Sequence, residues 1–390
     1  MIGQLKKYLT NPLYRSIGIM FFLGSLVFGF WVTRIPEVKQ SLGLSEGMLG
    51  LALFFSPMGA VLSMLVSPGL LSRFGVGRVT TITAVVLYLA SVFPVMAFNY
   101  TFLCAALFFH GLAVGMINVA ANNLVGVVEK QDGVLIMATS HGFFSLGGIF
   151  GAALGGVLAA YQVDAVMHFT ISNVSFAAII WWYVRKHVWH LADEVKAKGP
   201  ALVLPARSVW ALALISFCVL LGEGAIADWS SVYLKEFLNS DAYVAGMGYA
   251  AYSLTMTLGR FNGDALTQRY GSGQILTWGF LIALTGIMMV VLGSTWIVIS
   301  GFALAGIGYS CIVPVLMSNA AKKDEVSSAH GVASVASMGF VGFLVGPVAI
   351  GFIAEGFGLN VGFLLLVLLN LFSILLSRRS LATVKSGAKS

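Results

Sequence analysis

Residues 211–232 read ALALISFCVLLGEGAIADWSSV, a stretch with two carboxylates, no basic side chain and otherwise apolar or small residues. A helix of about 20 such residues spans the hydrocarbon core of a bilayer, so the stretch predicts a transmembrane helix. Glu223 falls near its middle and Asp228 about 1.5 turns further on. Both carboxylates therefore stand at a depth where an ionised group is costly and usually functional.

The whole chain, like this stretch, is rich in hydrophobic residues and poor in charged ones. Of its 390 residues, 58% are hydrophobic and 9% charged, against roughly 25% charged in a typical soluble domain. The 45 glycines suit membrane helices, whose backbones approach closely at small residues. We predict an all-α membrane protein with twelve transmembrane helices, centred near Gly24, Met58, Leu87, Ala113, Phe150, Ser175, Leu221, Ala251, Ile282, Gly308, Gly342 and Leu368.

The chain divides into two similar halves. The long polar stretch near its middle predicts six-helix bundles at 1–186 and 208–390, joined by a cytoplasmic linker at 187–207. Three patterns recur in the same order, which indicates an internal duplication: Gly24 with Trp31 as Gly222 with Trp229, Arg73-Phe74-Gly75 as Arg269-Tyr270-Gly271, and His141 with Ser145 as His330 with Ser334.

The basic residues predict the orientation. An even number of helices puts both termini on one side, and lysine and arginine concentrate in cytoplasmic loops. With both termini in the cytoplasm, all but three of the 22 basic residues fall on the cytoplasmic side, the exceptions being Arg34, Lys39 and Lys235.

The loop after the second helix, PGLLSRFG at 68–75, resembles the signature of the major facilitator superfamily, Gly-x-Leu-Ala-Asp-Arg-x-Gly-Arg. Arg73 matches the family's arginine, whereas Ser72 replaces its aspartate, so the charge contact of that aspartate must be absent or replaced. A fuller version follows the eighth helix, where Arg260 and Asp264 stand one turn apart and can pair. Within the family, WVTRIPEVKQSLGLSEGMLG at 31–50 together with His141 resembles the bacterial fucose-permease-like group.

This resemblance implies alternating access between two six-helix halves in a bacterial inner membrane, with a solute site near the midplane. The chain also lacks a Walker loop, so we expect the proton gradient to supply the energy. The two carboxylates, Glu223 and Asp228, are the candidates for proton coupling. They lie about 140° apart around the helix and cannot form an acid pair. Glu223 is either the proton carrier or a permanently protonated residue bonded to a neighbouring helix.

Other polar residues of the predicted helices are candidates for gating and solute binding. Asp228 and Arg34 could form a bridge that closes the outer gate; alternatively, Arg34 extends to lipid headgroups and Asp228 is solvated. Asn118 and Asn122 share a helix face that could bind hydroxyls or join two helices. Trp31 and Trp229 could stack on a sugar or serve as membrane-interface anchors. Further solute-binding candidates are Tyr249, Tyr252 and Ser253. The gating candidates are Arg34, Arg73, Arg260, Asp264, Arg269, His141 and His330.

The function that these features favour is proton-coupled uptake of a small polar solute, such as a sugar or sugar derivative. Proton-driven efflux of an amphipathic compound and a non-transporting sensor with the same fold are the alternatives. We expect no enzyme, cofactor or metal site, because the histidine–serine pairs have no third acid to orient them and the three cysteines are scattered. The expected partners are the solute, protons and membrane lipids, without nucleic acid, and the expected state is a monomer.

Overall fold

The computed structural model describes residues 8, 10–134, 136–191, 204–323, 325–326 and 328–387, except the side chains of 138, 264, 328, 329 and 378–387. Twelve helical elements account for most of these residues: α1 (Pro12–Ser41), α2 (Glu46–Phe74), α3 (Val76–Ala90), α4 (Tyr100–Asp132), α5 (Met137–Ala160), α6 (Ala165–Val188), α7 (Trp210–Phe237), α8 (Ala242–Tyr270), α9 (Ser272–Leu292), α10 (Thr295–Ala321), α11 (Ser328–Phe357) and α12 (Leu359–Gly387).

Three of these elements are irregular. Helix α6 contains a π-helical stretch, Ile180–Val184, and α7 ends in another, Tyr233–Phe237. Helix α10 is interrupted between Tyr309 and Ile312.

The helices confirm an all-α membrane protein. Within the described part of the chain, eleven helices are long and apolar enough to cross a membrane. Helix α8 has sufficient length, at 29 residues, but it is not among the eleven. The tyrosines, glycines, serine and threonines of its first 18 residues lower its mean hydropathy, and Arg260, Asp264 and Arg269 lower it further. A twelfth span at α8 and the cytoplasmic location of both termini stay predictions.

The chain forms two compact units. The N-terminal unit comprises Met1–Leu44 and Ala52–Gly199, and the C-terminal unit comprises Ser45–Leu51 and Pro200–Ser390. Residues 192–203 of the predicted linker lie outside the described residues.

Both units use a glycine at the same place to bring two helices together. In the N-terminal unit α1 packs along α5, and a Cβ on Gly147 would lie 2.0 Å from the carbonyl oxygen of Phe22. In the C-terminal unit α7 packs along α11, and a Cβ on Gly342 would lie 2.1 Å from the carbonyl oxygen of Phe217. The contact recurs with both partners displaced by 195 residues, which supports the duplication inferred from the sequence.

Gly342→Ala is therefore expected to lower stability. The added methyl group meets backbone, which cannot rotate away, and overpacking of this kind costs about 1–3 kcal/mol. Gly126→Ala is the matched control, because a Cβ there meets nothing within 4 Å. Thermal unfolding of the purified proteins should give a clearly lower melting temperature for Gly342→Ala and an unchanged or slightly higher one for the control. Equal melting temperatures would show that α7 and α11 are not tightly packed at this glycine.

Candidate functional site

The middle of α7 carries a carboxylate paired with an arginine of α8. Glu223 Oε2 lies 3.5 Å from Arg260 Nη2, with the Glu223 side chain 14% exposed and that of Arg260 48% exposed. Glu223 Oε1 is buried and has no hydrogen-bond partner among the described residues. Because a direct charge-assisted bond is about 2.7–2.9 Å long, this is a loose ion pair. The carboxylate keeps unused capacity to accept hydrogen bonds.

The predicted partner of Arg260 was Asp264, whose side chain lies outside the described residues. The guanidinium of Arg260 is paired with Glu223, and its pairing with Asp264 stays a prediction. Arg260 was assigned to a gate, and that role stays a prediction. Its contact places it beside the carboxylate at the middle of α7. Sequence reasoning missed this pair because the two residues lie on different helices.

Three tyrosines lie near the ion pair. Tyr249 and Tyr252 of α8 lie close enough to Glu223 and Arg260 to be affected by both charges, and their ring centroids are 6.4 Å apart. Tyr252 is 4% exposed, and its hydroxyl has no hydrogen-bond partner in the described part of the chain. The third ring is Tyr309 of α10. Its Oη would lie 3.0 Å from a Cβ on Gly222, so the glycine next to Glu223 makes room for this phenol.

An asparagine of α12 holds Tyr309. Asn370 Nδ2 donates to Tyr309 Oη at 2.7 Å and to the Leu366 carbonyl at 2.7 Å. The phenol therefore accepts from the amide and keeps its own proton to donate. Asn370 is 2% exposed, and its Oδ1 lacks a partner among the described residues. We name the group the tyrosine–carboxylate cluster: Glu223, Arg260, Tyr249, Tyr252, Tyr309 and Asn370.

Sequence reasoning did not find Tyr309 and Asn370. Each is a polar residue inside an apolar segment, which was the available signal, but their pairing depends on how α10 packs near α12. Ser253, a predicted site residue, is half-buried beside this cluster on α8, and its carbonyl accepts from Thr257.

The tryptophans predicted to stack on a solute are both buried. Trp31 is 8% exposed and Trp229 is fully buried. The Trp229 ring packs beside Gly351 of α11, and its indole nitrogen has no partner within the described residues. In this arrangement neither ring offers an open face to a solute or to the membrane interface. The neighbouring Asp228 is also buried, at 9% exposed.

The N-terminal unit contains a second polar group, which we name the asparagine–histidine cluster: Asn118, Asn122 and His141. Asn122 Nδ2 donates to the Asn118 carbonyl at 2.8 Å and lies 3.2 Å from Asn118 Oδ1. His141 Nε2 lies 3.0 Å from Asn122 Oδ1. Asn118 and His141 are exposed and Asn122 is half-buried. The two asparagines share a face as predicted, and the bond to His141 also joins α4 to α5.

His141, predicted at a cytoplasmic gate, is bonded to a predicted solute-binding residue, and its gating role stays a prediction. In both units the nearby serine donates to the histidine carbonyl, Ser145 to His141 at 3.2 Å and Ser334 to His330 at 2.8 Å. These hydroxyls are thus bonded to backbone oxygen and not to the imidazole rings. His330 itself is half-buried near the start of α11.

Arg34 is buried within the N-terminal unit, at 1% exposed. Its Nη1 donates to the Glu37 carboxylate and its Nη2 to the Val163 carbonyl at 2.8 Å. The alternative that Arg34 extends to lipid headgroups is therefore not what the structure shows. The bridge from Arg34 to Asp228 stays a prediction, and it would have to compete with Glu37 for the guanidinium.

The signature arginines behave alike in the two units. The Arg73 guanidinium lies 5.3 Å from the centroid of Phe74, and that of Arg269 lies 5.3 Å from the centroid of Tyr270. Each cation thus rests over the aromatic ring that follows it in sequence. Ser72, which replaces the family's aspartate, donates to the Gly69 carbonyl at 3.0 Å.

The eleven apolar spans found among the described residues define a multi-pass membrane protein. The chain belongs to the Major Facilitator Superfamily, whose sequence model matches residues 17–337 and 212–389. An uncharacterised MFS-type transporter of Yersinia pestis is 34% identical over 354 residues, covering 89% of this chain and 90% of the relative. The membrane protein MosC of Rhizobium meliloti is 30% identical over 367 residues, covering 92% and 88%. The fucose-permease-like subgroup stays a prediction.

Solved transporter structures share this fold. The nucleoside transporter NupG aligns with a TM-score of 0.70 at 15% identity, covering 96% of this chain and 99% of its own. A bacterial homologue of the human lysosomal transporter Spinster, in an inward-facing and occupied conformation, aligns with a TM-score of 0.75 at 13% identity, covering 97% of each chain. At these identities the likeness establishes the fold alone.

Proposed function

We propose that the protein is a secondary transporter of a bacterial inner membrane that couples the uptake of a small polar solute to protons. The observation that carries this proposal is Glu223, a carboxylate at the middle of a spanning helix, loosely paired with Arg260 and with one oxygen unpartnered among the described residues. Ionisable groups inside membrane helices mark ion pathways and proton relays. No catalytic role is proposed for any residue.

The ion pair gives a simple means of coupling. With Arg260 at 3.5 Å, the negative charge of Glu223 is balanced. The Arg260 side chain is long and half-exposed, so a solute that accepts hydrogen bonds can draw the guanidinium away. A carboxylate left without its cation in a buried site is costly, and taking up a proton removes that cost. Solute binding and proton uptake would then occur together.

The cluster's chemistry points to a polyhydroxylated solute. Glu223 Oε1 and Asn370 Oδ1 can accept hydrogen bonds, while Tyr252, Tyr309 and Arg260 can donate them. Tyrosine rings also present flat apolar faces, against which the carbon face of a sugar ring packs. The class includes sugars, sugar derivatives and nucleosides, the last being the solute named for the structural neighbour NupG.

A thermal-shift screen of the purified protein would test the solute class. Sugars, sugar acids, nucleosides, peptides and cationic drugs are added at two pH values, since a ligand that binds the folded state raises its melting temperature. Stabilisation by a polyhydroxylated solute supports the proposal. Stabilisation by cationic amphiphiles alone would contradict it and favour efflux. Binding of a solute that proteoliposomes fail to transport would favour a sensor.

Asn122→Ala is expected to weaken the stabilising effect of the solute found in that screen. Loss of the amide removes one hydrogen-bonding group and the contact to His141, at a cost of about 1–3 kcal/mol if these groups bind solute. Asn123→Ala is the matched control, because Asn123 Nδ2 donates to the Val119 carbonyl of its own helix. A solute titration should show weaker affinity for Asn122→Ala alone. If both variants bind like the wild type, Asn122 only joins α4 to α5.

A further inference from the structure

A cavity of ≈ 320 Å³ lies beside the N-terminal end of α1 in the N-terminal unit. It is bounded by α1, α5 and α6, and its lining includes Arg15, Ile19, Phe22, Phe143 and Ile179. Arg15 and Ile179 are both exposed, the latter at 39%. The cavity is therefore open along the outer surface of these helices and is separate from both polar clusters.

The lining combines one charge with an apolar wall. Arg15 is its charged member, and the other lining residues are aliphatic, aromatic or glycine. Tyr8 contributes its ring, because its hydroxyl donates to the Ile136 carbonyl at 3.1 Å and lies 2.7 Å from Ser140 Oγ. A ligand that fits this lining has one anionic group attached to a hydrocarbon chain.

The position of Arg15 along α1 is consistent with such a ligand. Helix α1 begins at Pro12 and is an apolar span, so Arg15 stands at the end of the span, where headgroups meet hydrocarbon. A guanidinium binds phosphate through two parallel hydrogen bonds. We propose that this cavity is a binding site for one anionic phospholipid, with its phosphate on Arg15 and an acyl chain along Ile19, Phe22 and Ile179.

Native mass spectrometry of the full-length protein in detergent would test this site. Phosphatidylglycerol and phosphatidylcholine are titrated separately, and the affinity of the first bound lipid is measured. For Arg15→Gln we expect about five-fold weaker binding of phosphatidylglycerol, since a basic residue near an anionic headgroup contributes about 1 kcal/mol. Binding of phosphatidylcholine should weaken less in this variant, because its choline cation offsets the charge of the same phosphate group.

Two further variants separate charge from shape. Arg207→Gln removes an exposed arginine that is not part of this cavity and should leave phosphatidylglycerol binding unchanged. Ile179→Trp fills the open side of the cavity while keeping Arg15 and should weaken binding of phosphatidylglycerol. The proposal is overturned if Arg15→Gln binds phosphatidylglycerol like the wild type, or if Arg207→Gln weakens that binding equally. Unchanged binding by Ile179→Trp would likewise place the lipid elsewhere.

Discussion

Glu223→Gln is expected to abolish proton-driven accumulation of the solute while leaving exchange intact. The amide matches the carboxylate in shape and can still hydrogen-bond, but it cannot release or take up a proton. With one proton per solute, a gradient of one pH unit is worth about 1.4 kcal/mol and sustains about a tenfold concentration ratio. In proteoliposomes carrying the variant this ratio should fall to about one.

Exchange provides the internal control for this experiment. Proteoliposomes preloaded with unlabelled solute should take up labelled solute through Glu223→Gln, because alternating access does not itself consume the gradient. Glu355→Gln is a matched variant, since Glu355 is an exposed carboxylate near the end of α11. It should accumulate solute like the wild type. Accumulation by Glu223→Gln at the wild-type level would exclude Glu223 as the proton carrier.

The fold was predictable from the sequence because bilayer physics constrains it strongly. Long apolar segments must form helices, since a spanning backbone has to satisfy its own hydrogen bonds. Helix α8 shows where that reasoning weakens. Its polar and charged residues reduce its hydropathy, and such residues are tolerated when they face other helices, as Arg260 faces Glu223 on α7. The feature that makes α8 difficult to recognise as a span is part of the candidate site.

From the sequence, only those features of the candidate site that lie within one helix could be predicted. The shared face of Asn118 and Asn122 follows from their spacing within α4 and is confirmed by their hydrogen bond. Contacts between helices do not follow from spacing. The same reasoning that paired Arg260 with Asp264, one turn away, could not find Glu223, which is 37 residues away in sequence.

Hydrogen-bond geometry explains why the sequence did not identify two further members of the cluster. Tyr309 and Asn370 are single polar residues in α10 and α12, and either could have pointed away from the site. Their place in the tyrosine–carboxylate cluster depends on the 2.7 Å hydrogen bond from Asn370 Nδ2 to Tyr309 Oη. It also depends on the space that Gly222 leaves beside Glu223. The duplicated sequence could not reveal this either, because the two units carry different polar groups at their clusters.

Arg260→Gln is expected to destabilise the protein, and adding Glu223→Gln is expected to restore much of the loss. Removing one partner of a buried ion pair costs about 3–5 kcal/mol; the half-exposed guanidinium here lowers the expectation to about 1–3 kcal/mol. The cost arises because the Glu223 carboxylate, without its cation, must either stay charged in a buried site or take up a proton from neutral solution. In the double variant both groups are neutral amides, so this cost is absent.

Thermal unfolding of the four proteins forms a double-mutant cycle. The wild type, both single variants and the double variant are compared at one pH, and the coupling between the two positions is taken from the melting temperatures. Arg269→Gln on the same helix is the control, because that guanidinium rests over the exposed Tyr270. If Arg260→Gln lowers stability by the same amount with and without Glu223, the arginine stabilises the protein by packing alone. Arg260 would then not stabilise the ionised form of Glu223. A solute that draws Arg260 away could not cause Glu223 to take up a proton.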